Sequence, residues 1–236
     1  MRLIPLPDKR AAIAGQALFG CLPEADREQL LALGVERRFC DGQLIFQRGD
    51  ANTSIMLVLR GQVRISIVSE DGKELVFAII LPGECFGEIA LLDGQSRTAD
   101  ATALGECVLF VLARQVFIPY LEHHPQVAFR LLRVLCERVR ATNAFIERLA
   151  FLNLPARLAC LLLKLATTQG VATPTGVRVI RKFSQQDLGN LVASSRVSVN
   201  KQLRIWQTAG LLKIERGSIT LLQPKALSQL ACSSVV

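Results

Sequence analysis

The sequence predicts a mixed α+β chain: an N-terminal β-roll of jelly-roll type over residues 1–124, a long helix with its hinge over residues 125–152, and a C-terminal winged helix-turn-helix over residues 153–236. Three observations predict it. Short apolar runs broken by glycine and by Asp-Gly fill the first half. A stretch without Gly or Pro separates Pro125 from Pro155. Two short amphipathic segments follow a capping signature in a basic tail. The 236 residues are 50% hydrophobic and 20% charged, with a mean hydropathy of +0.34, which provides ample core and excludes a disordered chain.

The elements follow in order. Glu24 to Leu33 reads as a short opening helix. Leu44 and Phe46 alternate with polar neighbours. Met56-Leu57-Val58-Leu59 stops at Gly61, and Val63, Ile65 and Ile67 alternate with Arg64 and Ser66. Asp71-Gly72 separates that strand from the run Leu75 to Ile80, a hairpin signal. Val108 to Leu112 closes the set. Many short strands with regular turns favour a roll or barrel over a parallel sheet.

The segment from Pro82 to Ala99 breaks this rhythm. Residues 88–92 suit a short helix, and glycines precede it, so main-chain amides can converge there on an anion. Arg97 adds a guanidinium fork suited to phosphate, and Glu88 can accept from a sugar hydroxyl. A solvated surface arginine beside a turn is the plainer reading of the same residues.

Beyond Pro125, Ala128, Leu132, Leu135, Val139, Thr142, Ile146 and Leu149 recur at alternating steps of four and three, an a/d seam. Such a seam most simply joins two copies in a parallel homodimer. Leu131, Val134 and Phe145 widen the apolar face, as packing on the chain's own domain would require. Thr142 is the polar residue on the seam; it sets register, or it offers a hydroxyl to a base.

Phe151 to Pro155 reads as a hinge, with Asn153 capping a buried helix over 156–166. A turn at 173–176 and a strand at 177–180 follow. Ser184-Gln185-Gln186-Asp187 resembles a capping box, and it opens a helix carrying Leu188, Leu191 and Val192. After Ala193-Ser194, a second helix runs from Ser195 to about Thr208. Its Val199, Leu203 and Trp206 share a core face, while Arg196, Val197, Asn200, Lys201 and Arg204 share the opposite one. A short helix with basic and amide side chains on its free face is what a major-groove reader needs. Gly210 ends it, and Leu211 to Leu221 reads as a two-stranded wing turning near Gly217.

Charge divides the chain in the same way. Residues 1–125 hold 12 Lys+Arg against 16 Asp+Glu, residues 126–149 hold 5 against 2, and residues 150–236 hold 11 against 2. A basic tail of this kind seeks nucleic acid or anionic lipid, or simply keeps a face soluble. No apolar run is long enough for a transmembrane helix, and the N-terminus Met1 to Asp8 lacks the apolar core of a secretory signal, so the expected compartment is the cytoplasm, with no membrane partner. Seven cysteines at long gaps show no metal-ligand spacing and read as reduced core residues, and no metal is expected. No nucleophile–base pair is visible, and the adjacent His123 and His124 read as surface residues beside Pro125, so the chain is not expected to be an enzyme.

The run Phe86-Gly87-Glu88-Ile89-Ala90-Leu91, followed by Arg97-Thr98-Ala99, resembles the phosphate-binding cassette of cyclic-nucleotide-binding domains. Gly42 to Phe46 and Leu57 to Val63 resemble that family's early strands. The segment Leu188 to Leu212 is similar to the winged helix-turn-helix of bacterial Crp/Fnr transcription regulators, and the likeness spans about residues 20–222 in that family's domain order.

The resemblance implies a ligand site of Gly87, Glu88, Ile89, Arg97, Thr98, Arg138, Thr142 and Asn143. In it Arg97 and nearby amides hold a cyclic phosphate, Glu88 the ribose 2′-hydroxyl, and Thr142 the base. Arg138 approaches Glu88, and Asn143 replaces a serine that reaches in from the partner copy. The effector it implies is 3′,5′-cyclic AMP, with cyclic GMP as the alternative that Thr98 suits.

It implies DNA contacts by Ser195, Arg196, Val197, Ser198, Asn200 and Lys201. Val197 stands where the family has a glutamate. It cannot accept from cytosine but can touch a thymine methyl, so a T·A pair is expected at one position per half-site. The partners implied are near-palindromic double-stranded DNA, a second copy of the chain and, as a further candidate, RNA polymerase. Cys21 alone does not make the cysteine cluster of the iron–sulfur branch. The rival reading keeps the DNA binding but gives the front domain no nucleotide.

Overall fold

A computed structural model describes residues 10, 12–15, 18–51, 53–180, 182–215 and 217–232. The segment read for a secretory signal lies outside the described residues, and so does the side chain of Cys232. The chain forms two compact units: residues 1–69 with 76–140, and residues 70–75 with 141–236.

In the first unit, α1 (Glu24–Leu33) carries Glu24 and Asp26 in its first turn, which suit the positive end of the helix. The strands are β1 (Val35–Phe39), β2 (Leu44–Phe46), β3 (Ser54–Val68), β4 (Glu74–Ile80), β5 (Cys85–Phe86) and β6 (Asp100–Ala113). Their order is β1-β6-β3-β4, with β2 also on β6 and β5 on β3. Between β5 and β6 sits α2 (Glu88–Asp93), and after β6 come α3 (Arg114–His123) and α4 (Pro125–Phe151).

The structure corrects the sequence reading in several places. The runs at 56–59 and 63–67 are one strand, β3. Gly61, at φ +83°, absorbs the break: the register with β6 shifts on either side of Arg60 and the strand continues as a bulge. A Cβ at Gly61 would lie 2.4 Å from the Glu106 carbonyl oxygen, so the close backbone approach needs glycine. The run 108–112 is the end of the 14-residue β6.

β1 (Val-Glu-Arg-Arg-Phe) has no clean apolar alternation, and α3 carries Pro119 in its interior, which hid both. His124 is not a surface residue: it is half-buried, its ring centroid 4.1 Å from that of Tyr120 and its Nδ1 3.6 Å from an Asp26 carboxylate oxygen. His123 is exposed.

Two cores hold this unit. One fills the roll with Phe46, Met56, Val58, Phe86, Ala101 and Leu109. The other seats the helices on the sheet through Phe19, Leu30, Leu57, Phe110 and Phe117, joined from α4 by buried Val127 and Leu131 and by Val134. That inner face of α4 meets the requirement for a helix packed on its own domain. The a/d positions lie elsewhere on the helix. Leu132, Val139, Thr142 and Ile146 are exposed, Ala128, Leu135 and Leu149 are half-buried, and none of the seven is in either core. Of the described cysteines, Cys85 and Cys107 are buried as expected, whereas Cys40 and Cys136 are exposed.

In the second unit, past the end of α4, the Asn153 side chain accepts from the Ala156 amide at 3.0 Å and caps α5 (Leu154–Gln169) with Pro155 in the first turn. α5 runs past residue 166 directly into β7 (Gly170–Thr173), a strand not foreseen, and β8 is Gly176–Val179. Next come α6 (Gln185–Val192) and α7 (Arg196–Thr208), then the wing strands β9 (Leu212–Glu215) and β10 (Ser218–Leu221), and α8 (Pro224–Cys232), also not foreseen. The sheet order is β7-β8-β10-β9.

The capping box is present: Ser184 Oγ accepts from the Asp187 amide at 3.0 Å, and the Ser184 amide donates to the Asp187 carboxylate at 2.9 Å. Leu158, Leu162, Leu188, Val199, Leu203, Trp206, Leu221 and Leu227 form the core. The turn between α6 and α7 is tight. Ala193 adopts φ +52°, and a Cβ at Gly189 would meet the Ser194 carbonyl oxygen at 2.7 Å.

Candidate functional site

The cassette is assembled by β5, α2, the loop into β6, and the inner face of α4. Gly87 turns the chain at φ +83° between β5 and α2, and a Cβ there would lie 2.6 Å from Arg97 Nη1 and 2.8 Å from the Ser54 carbonyl oxygen. Only glycine fits. The backbone of Arg97 is pinned by the loop between β2 and β3: its amide donates to Asp50 O at 3.0 Å and its carbonyl accepts from the Gly49 amide at 2.9 Å.

The side chain of Arg97 is 2% exposed. Nη1 donates to Gly87 O at 2.8 Å, and Nη2 donates to both the carbonyl and the hydroxyl oxygen of Ser54 at 3.0 Å. The Phe46 ring lies under it, 4.1 Å from the guanidinium carbon. Burial pulls the Arg97 pKa down from its usual value, opposed by the negative charges of Glu88 and Asp50.

Glu88 is fully buried, and its Oε1 accepts from Arg138 Nη1. Arg138 Nη2 donates to the Cys85 carbonyl. The Cys85 thiol beside it is pushed up to about 12, mainly by burial. Two atoms are left over: Glu88 Oε2 and Arg97 Nε are buried and have no hydrogen-bond partner among the described residues. Buried polar atoms rarely stay orphaned, so this pair marks an acceptor and a donor held ready for something else.

Both residues line one cleft of about 70 Å³ with Phe46, Phe86, Gly87, Ile89, Thr98 and Arg138. An unused donor on a buried cation suits an anionic phosphodiester, and an unused acceptor on a buried carboxylate suits a hydroxyl. The residues present therefore fit a cyclic nucleotide.

The structure brings Gly87, Glu88, Ile89, Arg97, Thr98 and Arg138 together. Ile89 and Thr98 are exposed at the cleft, and Thr142 and Asn143 are exposed on the part of α4 that belongs to the second unit. Sequence reasoning missed Ser54 and Phe46 as partners of Arg97. They lie 43 and 51 residues upstream of it, and nothing local signals the contact.

On α7, Val199, Leu203 and Trp206 are buried as the spacing predicted, while Arg196, Val197, Lys201 and Arg204 are exposed, Val197 at 77%. Ser195 is the N-cap: its Oγ accepts from the Ser198 amide at 3.1 Å and lies 2.9 Å from Ser198 Oγ. These two hydroxyls are thus engaged with the helix start. Asn200 is half-buried, and its Oδ1 accepts from Gln185 Nε2 at 3.1 Å. Among the described residues no cluster of three His, Cys, Asp or Glu side chains is placed to hold a metal ion, and no helix is long and apolar enough to cross a membrane.

A buried anion cassette in a β-roll and a free basic helix in a winged helix-turn-helix together define a ligand-binding regulator of transcription. Comparison with known proteins agrees on both units. The cyclic nucleotide-binding domain family matches residues 36–124, and the Crp-like helix-turn-helix domain family matches residues 156–230. The chain is similar to the CRP-like cAMP-activated global transcriptional regulator of Mycobacterium tuberculosis, at 30% identity over 193 residues, 82% of this chain and 86% of that one. It is 32% identical over 201 residues to the global nitrogen regulator of Synechococcus elongatus, covering 84% of this chain and 90% of that one. Among solved structures it resembles the c-di-GMP responsive global regulator CLP of Xanthomonas campestris, with TM-score 0.77 and 25% identity over 84% of this chain and 99% of that one. The chain belongs to the Crp/Fnr family: it is a cyclic-nucleotide-binding, DNA-binding transcription regulator.

Proposed function

We propose that the effector is 3′,5′-cyclic AMP, and that it acts on a homodimer which reads a near-palindromic operator. The observation that carries the ligand reading is the orphaned pair Arg97 Nε and Glu88 Oε2 in one cleft. Arg97 takes the cyclic phosphate and Glu88 the ribose 2′-hydroxyl. Arg138 lines the same cleft and is bonded to Glu88, so the ligand's charge is felt directly on α4. Thr142, and Asn143 of the partner subunit, take the base, a reading that rests on the family resemblance.

The dimer reading rests on the seam of α4. Leu132, Val139 and Ile146 are 55%, 59% and 57% exposed, a stripe a second copy would cover. Ligand binds more tightly to the arrangement competent for DNA and shifts the population toward it. Arg196, Val197 and Lys201 then read base edges, and the surrounding basic residues contact phosphates. The division of labour is residues 1–124 for sensing, 125–152 for coupling and 153–236 for DNA.

Calorimetry with cyclic AMP, cyclic GMP and cyclic di-GMP tests the reading, alongside light scattering for oligomeric state. Tighter binding of cyclic AMP by a dimer is expected. Preference for cyclic GMP would move the base reading to Thr98. Binding of none of the three, with DNA affinity unchanged by any, would make the front domain a sensor without a nucleotide and sink the proposal.

A further inference from the structure

We infer that Gln185, at the start of α6, sets which base edge Asn200 reads from α7. The inference rests on the proposed insertion of α7 into the major groove and goes one step beyond it. Gln185 Nε2 donates to Asn200 Oδ1 at 3.1 Å, across the helix-turn-helix corner. A primary amide carries one accepting oxygen and one NH2 group. A free asparagine offers both and pairs with adenine in two places, accepting from N6 and donating to N7. Here the oxygen of Asn200 is turned toward α6, and its NH2 has no partner among the described residues.

Asn200 is held as a hydrogen-bond donor. In the major groove, outward donors match guanine O6 and N7 or thymine O4; adenine offers N7 alone, flanked by its own donating amino group, and cytosine offers only a donor, so both are disfavoured. The tether also fixes the side-chain rotamer before DNA arrives, which lowers the entropic cost of the contact. The corner itself keeps the tether in place. Gly189 and Ser194 are in close contact, and Ser194 N donates to Gly189 O at 2.9 Å, so the two helices have little room to slide.

The test is selection of bound fragments from an operator library with randomised half-sites, using full-length protein at low salt, with and without saturating cyclic AMP. The unaltered protein is expected to enrich guanine or thymine at one position per half-site that Asn200→Ala flattens while the other positions keep their preference. In Gln185→Glu the carboxylate only accepts, so it takes the Asn200 NH2 and turns Oδ1 outward. Preference at that same position then moves to adenine or cytosine, a change of about tenfold in the enrichment ratio. Gln185→Ala leaves the amide free to turn and mixes the two. A merely structural role for Gln185 would lower affinity without exchanging the preferred base. The inference is overturned by an unchanged preference in Gln185→Glu or by an Asn200→Ala protein that keeps every position. Unaltered protein that selects no sequence at all would remove the groove reading of α7, and the role of the tether with it.

Discussion

The cassette and the reading helix handle positive charge in opposite ways. Arg97 is buried, pinned to three oxygens and stacked on a ring, with one nitrogen left over. Arg196, Lys201 and Arg204 are exposed on one helix face. A buried cation in low dielectric is selective: few ligands can repay its desolvation, and those that do must present an anion in the right place. Exposed cations attract any polyanion, and their selectivity has to come from groove geometry and from the neutral residues among them. One region is built to recognise one molecule, the other to find a polymer and then read it.

Removing Arg97 tests the buried side of this contrast most severely. Arg97→Ala is expected to weaken nucleotide binding by at least about 30-fold, because truncating one partner of a buried charge pair costs roughly 2–5 kcal/mol. The circular dichroism spectrum should be unchanged, and calorimetry reads the loss; unaltered affinity would contradict the assigned role. On the exposed side, Arg196→Ala is expected to cost about 1–3 kcal/mol on a specific operator and little on random DNA, measured by paired titrations.

Salt separates the two regions further. DNA affinity should fall steeply between about 50 and 200 mM salt, while nucleotide affinity, resting on a buried pair, should change far less. Equal slopes would show that Arg97 is as solvated as Arg196. Ser184→Ala removes one half of the capping box and should lower stability by about 1 kcal/mol, read as a shift in the urea midpoint.

The smallest effect concerns Cys85. Its thiol is pushed up to about 12, so its contribution to stability is present below its usual value near 9 and is lost as pH rises from there toward 12. At pH 8.5 exposed Cys40 and Cys136 should alkylate readily and Cys85 should not, as peptide mapping by mass spectrometry would reveal.

Sequence and structure agree best where function is local. The cassette residues from Phe86 to Ala99 are consecutive enough to be read as one pattern, and the Ser184–Asp187 box and the core face of α7 depend on spacings of three and four. What stayed hidden is non-local or contrary to propensity. The stack of Phe46 on Arg97 and the Ser54 contacts need β2 and β3 folded together. The single strand β3 contains a glycine that reads as a terminator but serves as a bulge. The helix α3 tolerates an internal proline. In each case tertiary packing overrides the local signal.

Two of the three oxygens that grip Arg97 belong to the peptide chain, at Gly87 and Ser54. No substitution can delete a carbonyl. The pose of that guanidinium is therefore robust to drift in the genes encoding it, and among the described side chains that touch it the Ser54 hydroxyl and the Phe46 ring are the adjustable handles on its grip.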